Sequence, residues 1–349
     1  MIIDEVGEPK TGDKSVGTSR QYCGNSGKVD NCQVSVAGYL SDFHQGSLVD
    51  MRLYLPKSWT EDIGRMERAG VPEAMYGYKT KIEIATDIID HQINQHIAFN
   101  WVVADGFYGR DLSLANHIDE KGKQFVLEVA KNRKVYFEKP ILKLPEKKSK
   151  KGRPFTKKRP HQSSMTLADY YHSLDGKAFK KTRIRDSFKG DLIAYVHTCD
   201  IYVWDEDHER LIKLRLLIRK DGSKVGFAFS NAEQATDQQL LRVQAWRYFI
   251  ERAFQEAKNV VGMKHLQVRK FRAWIHYMAM ILLLLLFLME LRKEWGKRIH
   301  PLISYRDIKL SLQWFLPHKC EQTDDFIQRL FDNLFDKMCD FDQYEHDDS

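Results

Sequence analysis

The run Phe99-Asn100-Trp101-Val102-Val103-Ala104 is the stretch that most restricts the fold. It is almost continuously apolar, the pattern of a strand buried on both faces of a sheet. It ends on Asp105, followed by Gly106-Phe107-Tyr108-Gly109. Residues Lys79 to Ile97 before it predict a helix, with Ile82, Ala85, Ile89 and Ile93 on one side. Arg110 to Lys121 predicts another helix and Gln124 to Ala130 another strand. Upstream, Met1-Ile2-Ile3-Asp4 reads as the end of a strand closing on a carboxylate. Gly7, Pro9, Gly12, Gly17, Gly24 and Gly27 then predict a turn-rich connection. Asn31 to Leu40 alternates as a strand, and Gly46 to Leu55 is a third strand stopped by Pro56. Three strands, then helix–strand–helix–strand, predict an α/β domain with a mixed sheet. Carboxylates at strand ends are where such sheets carry chemistry.

The second half changes character. Lys143 to Pro160 is rich in Lys, Pro and Gly and predicts irregular chain. Leu192 to Trp204, Leu211 to Arg219 and Lys224 to Ser230 are strand-like, with Asp221-Gly222 as a hairpin turn. A helical pattern runs from Asp237 to Gly262, with Val243, Trp246, Ile250, Phe254, Ala257 and Val261 as its buried face. Arg247, Glu251 and Lys258 share a stripe about 40° wide beside that face. A long helix follows from Phe271 to Trp295. Its apolar run Met278 to Met289 has 12 residues, fewer than the roughly 20 of a spanning helix. It reads as a buried core helix, and no membrane partner is expected. Tyr305 to Leu316 and Thr323 to Met338 are amphipathic helix candidates. The expected partition is 1–140, a β-rich block with a basic arm at 141–235, a helical part at 236–300 and an acidic helical tail at 301–349.

Formal net charge is +7, but its distribution matters more. Lys143 to Arg159 holds nine Lys or Arg and one acid, Glu146, whereas Cys320 to Ser349 holds ten acids against Arg329 and Lys337. The basic stretch implies a polyanion partner. The five cysteines, Cys23, Cys32, Cys199, Cys320 and Cys339, form no CxxC pair and predict neither a disulfide framework nor a zinc site. A reducing compartment follows, and the start shows no signal peptide.

Three carboxylates stand out: Asp4 on the first strand, Asp105 after the buried strand and Glu251 on the later helix. Strands one and four of such a sheet can lie side by side, and a helix on that edge can add a third acid. Oxygen donors of this kind suit hard cations such as Mg²⁺. Taken singly, Asp4 and Asp105 could equally cap turns, and Glu251 could be an exposed helix edge paired with Arg247. An acid pair acting on glycans would leave Arg247, Lys258 and the basic arm without a role.

Together the segments resemble a DDE transposase of a bacterial insertion sequence, in the group whose RNase H-like core is interrupted by a β-strand insertion. The group's helical signature is Tyr, Arg, Glu and Lys at set spacing. Arg247, Glu251 and Lys258 match it in register, with Gln244 where Tyr is expected. Asp4-Glu5-Val6-Gly7 resembles the first catalytic block and Asp105-Gly106-Phe107-Tyr108-Gly109 the second. Arg20 to Gly24, Asp30 to Val34, Arg52 to Pro56 and His265 to Arg269 are similar to further family segments. The likeness covers roughly 1–295.

The resemblance implies an RNase H-like mixed sheet flanked by helices, with the β-rich insertion before the last catalytic helix. It implies that Asp4, Asp105 and Glu251 hold Mg²⁺ or Mn²⁺, with two ions expected. The implied reaction is DNA cleavage at insertion-sequence ends followed by strand transfer. Arg247 and Lys258 would lie near terminal phosphates, or pair with Glu251 within the helix. The implied partners are double-stranded DNA, as terminal inverted repeats and target, and a second copy on that DNA. The setting would be the bacterial cytoplasm at the nucleoid. Lys147, Lys148, Lys150, Lys151 and Arg153 are expected to bind DNA, either in a minor groove or through phosphates alone. Trp204 could stack on a base or belong to the core. The family's N-terminal DNA-binding region has no counterpart before Asp4. The alternative is a truncated or domesticated remnant that binds DNA without chemistry.

Overall fold

The computed structural model describes residues 1–145, 156–187, 190–300 and 302–315. Ten strands form its main sheet: β1 (Ile2–Pro9), β2 (Ser19–Cys23), β3 (Lys28–Ser41), β4 (Gly46–Leu53), β5 (Trp101–Ala104), β6 (Gln124–Val129), β7 (Lys180–Ser187), β8 (Gly190–Asp205), β9 (Arg210–Asp221) and β10 (Lys224–Ser230). The main helices are α1 (Lys81–Asn94), α2 (Ser113–Glu120), α3 (Asp237–Ala245), α4 (Tyr248–Asn259), α5 (Phe271–Arg298) and α6 (Tyr305–Phe315). The result is a mixed α/β fold with a large mixed sheet flanked by helices, consistent with an RNase H-like core. The chain divides into two compact units. One holds Met1–Ile3 and His96–Arg247, the other Asp4–Gln95 and Tyr248–Ser349.

In the first unit, β5 lies between two parallel neighbours, β1 and β6. That is why its sequence is apolar on both faces: Val102, Val103 and Ala104 are all buried. β6 then meets the antiparallel series β10, β9, β8 and β7. The β9–β10 hairpin closes where Asp221 pairs with Lys224, around Gly222 at φ +57°. A positive φ there suits a two-residue hairpin and favours glycine. β7 escaped the sequence reading because its residues are mostly charged, and among those whose side chains are described only Ile184 is deeply buried. α2 packs on β6, and α3 packs across β6 to β9.

In the second unit, β1 runs beside β3, which also pairs with β2 and β4. β1 is twice as long as the glycines suggested, so Asp4 is within the strand and not at its end. Gly7 was read as a turn signal, but a Cβ there would lie 3.0 Å from Cys23 Sγ, so the glycine serves close packing of β1 on β2. α1 starts at a capping box formed by Thr80 and Glu83 and buries Ile82, Ala85, Ile88 and Ile89. α1, α4 and α5 all pack on β4.

Two helical expectations need correction. The pattern from Asp237 to Gly262 is two helices, broken at Trp246 and Arg247. The Arg247 N–H bonds the Gln244 carbonyl at 3.2 Å, a tightened turn. The apolar spacing continues through the break, so periodicity alone could not reveal it. The run Met278 to Met289 belongs to the 28-residue α5, which is long and apolar enough by composition to cross a membrane and is buried along one face only. Phe271, Trp274, Met278, Ile281, Leu285 and Leu288 form its covered face. The opposite face is apolar and open, so α5 is a core helix on one side only.

Candidate active site

Alternation along β1 places Asp4, Val6 and Glu8 on one face. Asp4 and Glu8 are both nearly buried, at 8% exposure each. Asp4 Oδ1 accepts the Glu5 backbone N–H at 2.7 Å. Glu8 is held by Lys258 of α4, Nζ to Oε1 2.9 Å. Just past the strand, Lys10 donates to the Leu266 carbonyl. Burial pushes the Lys10 ammonium below the ordinary lysine range, while nearby Glu8 acts in the opposite sense. On the other face, Glu5 is bound to Lys81 at 2.8 Å.

β1 and β5 pair in parallel, Ile2 with Val103 and Ile3 with Ala104. Asp4 is the next residue of β1, and Asp105 follows the last residue of β5. Asp105 Oδ1 accepts the Phe107 N–H at 3.0 Å, and its carbonyl accepts the N–H groups of Tyr108 and Gly109. This turn keeps the half-buried carboxylate at the strand end. Gly109 is obligatory here: a Cβ would lie 2.0 Å from the Glu128 carbonyl oxygen. Tyr108 beside it is fully buried.

Glu251 lies in the first turn of α4 and is exposed, while Ile250, Ala253, Phe254 and Ala257 turn inward. Lys258 is seven residues on and is bound to Glu8 and, at 3.3 Å, to Asn25. Arg247 does not share a helical stripe with Glu251, because it falls in the turn before α4. It faces Glu128 instead, Nε to Oε1 3.6 Å. Gln244, at the position of the family's Tyr, is buried in α3.

Sequence reasoning missed Glu256. Burial raises its carboxyl above the usual range, and Arg252, 3.3 Å away, and Arg292 partly offset this. The Tyr305 hydroxyl near it is pushed up to about 12, mainly by burial and then by the Glu256 charge. Nothing but its four-residue spacing from Arg252 distinguished Glu256 from a surface acid. A separate cavity of about 430 Å³ in the first unit is lined by Tyr171, His172, Phe179, Tyr195 and Lys220 among others. Trp204 is half-buried.

Among the described residues, no three His, Cys, Asp or Glu side chains converge into a metal cage. The donor types of Asp4, Asp105 and Glu251, carboxylates without sulfur or imidazole, are those of a hard divalent cation. Lys147, Lys148, Lys150, Lys151 and Arg153 lie outside the described residues, as does the Thr323–Met338 segment. At the described end of the arm, Lys157 pairs with Glu209 and Arg159 with Glu206 at 2.7 and 2.8 Å.

The sequence profile described as DDE superfamily endonuclease matches residues 1–191, more than half of the chain, and the chain belongs to that family. It is also 32% identical over 133 residues to a probable transposase for insertion sequence element IS701 from Microchaete diplosiphon. That match covers 38% of this chain and 32% of the relative, so it spans about a third of the relative's length.

Proposed function

We propose that this chain is a transposase that cleaves DNA at insertion-sequence ends and joins the freed 3′-OH to target DNA. The observation that carries the reading is the parallel pairing of Ile3 with Ala104, each followed by an aspartate. The course of the chain around β1 adds Glu251. Glu8 meets Lys258, Lys10 meets Leu266 and Val16 meets Arg269, so β1 and the segment from α4 onward advance in the same direction. From Lys258 back to Glu251 is about 10 Å of helix. From Glu8 back to Asp4 is about 13 Å of strand. These similar steps support Glu251 lying alongside Asp4.

Asp4, Asp105 and Glu251 would hold Mg²⁺ or Mn²⁺, one ion or two. Bound metal supplies Lewis acidity and a water of lowered pKa. Three like charges repel without a cation between them, so metal binding and convergence of the carboxylates form one equilibrium. Lys258 and Arg247 would bind phosphates at the transposon end. Hydrolysis of the end phosphodiester leaves a 3′-OH and a 5′-phosphate. The 3′-OH then displaces a 3′-oxygen at a target phosphodiester, conserving the number of ester bonds. The Lys143–Arg159 arm would bind the duplex, and two copies would hold two ends. A labelled duplex carrying the element's end, incubated with Mg²⁺ or Mn²⁺, tests this directly. Specific nicking supports the reading. Binding without nicking in either metal would favour the inert DNA-binding remnant.

A further inference from the structure

The outward face of α5 serves no purpose in the proposed chemistry. Met280, Leu283 and Phe287 are 56%, 59% and 48% exposed, and Leu284 is 39% exposed. Spaced by three and four residues, they form one stripe opposite the face packed on β4. With neighbouring Leu286 they leave on the order of 500 Å² of apolar surface open, near the upper end for a monomer.

We propose that this stripe is the contact between two copies of the chain, with α5 lying antiparallel to α5 across a twofold axis between Leu283 and Leu284. The inference deepens the two-copy reading above by naming its surface. Such an axis sets Met280 of one copy against Phe287 of the other, and Leu283 against Leu284. The charges agree with this direction. Arg272 and His276 stand before the stripe, Glu290 and Glu294 after it, all exposed. Antiparallel pairing brings Arg272 and His276 of one copy alongside Glu294 and Glu290 of the other, whereas parallel pairing stacks like on like. The acids already have partners within the helix, Glu290 with Lys293 at 3.8 Å and Glu294 with Arg298 at 3.0 Å. These exposed pairs are weak and exchange readily. Lipid is a poorer occupant, because the inner face of α5 is packed on β4 and acyl chains could not surround it. Two stripes bury about 1,000 Å² in total, the lower limit for a specific interface. The dimer is therefore expected to dissociate in the micromolar range.

Sedimentation velocity on the full chain, without DNA or metal, tests the surface separately from catalysis. The parent is expected to dimerise as concentration rises. Leu283→Glu with Phe287→Glu should weaken association at least tenfold with an unchanged circular dichroism spectrum, since both sites are exposed. Arg272→Glu should also weaken it, and adding Glu294→Arg should restore it. Three outcomes would overturn the proposal: a parent that stays monomeric to about 100 μM, a dimer indifferent to the Leu283→Glu/Phe287→Glu change, or a monomer that instead binds phosphatidylcholine vesicles. A monomeric parent that still nicks DNA would leave the transposase reading standing and remove only this one.

Discussion

Lys258 has one task in the fold and a second in the proposed phosphate contact, and substitution can separate them. In the fold it neutralises Glu8; their side chains are only 16% and 11% exposed. At 2.9 Å and an effective dielectric of about 20, the gross attraction is roughly 6 kcal/mol, part of which offsets desolvation. Lys258→Met keeps the stem and strands the Glu8 carboxylate. Breaking one side of such a pair costs about 3–5 kcal/mol. Glu8→Gln strands the ammonium, but Asn25 already accepts from it, so the loss should be smaller. Removing both charges should recover most of the loss, because two uncharged side chains leave no buried ion. Urea unfolding of the four proteins, followed by circular dichroism, gives the coupling energy. DNA binding should order them differently: Lys258→Met weakens it and lowers the salt slope by about 0.9, whereas Glu8→Gln preserves or strengthens it. A Lys258→Met loss below about 1 kcal/mol, or additive single effects, would refute the buried strut. Identical DNA affinity in all four would refute the phosphate contact.

Three further outcomes follow from individual sites. Glu251→Gln should change stability by no more than about 0.5 kcal/mol, because the side chain is exposed, while end cleavage falls by orders of magnitude; a variant that nicks normally would remove α4 from the chemistry. Gly109→Ala should cost more than about 3 kcal/mol because the new methyl meets backbone, whereas Gly106→Ala, whose Cβ would come no closer than 3.9 Å to the Glu128 carbonyl oxygen, should be far milder, as thermal melts would report. Asp237 is opposed by burial, but the Thr198 hydroxyl, Lys180 and Arg215 hold its carboxyl below the ordinary range. The unfolded chain therefore takes up this proton first, so its contribution is present at neutral pH and is lost as pH falls below about 4. Asp237→Asn should flatten that limb of a pH–stability curve, and an unaltered limb would show that the pairing does not stabilise the fold.

The sequence by itself determined what short-range chemistry writes into neighbouring residues. Unbroken apolarity marked β5 as doubly covered, and Asp221-Gly222 marked the turn between β9 and β10. The segment containing Asp105 was legible as strand followed by carboxylate, because burial and a polar terminus are local properties, whereas the strand end expected at Asp4 was wrong because β1 runs on to Pro9. The family followed from the order of those segments. Tertiary structure decided whatever depends on partners distant in the chain. Gly7 looked like a turn because a glycine's demand for space is invisible until Cys23 is packed against it. The break before α4 was hidden because its two helices keep one apolar rhythm. Lys258 matched a signature spacing, but only the approach of β1 showed that it neutralises Glu8. α5 carries leucine on every side, so its sequence could not say which face is covered. The fold chose one by laying it on β4 and left the other open.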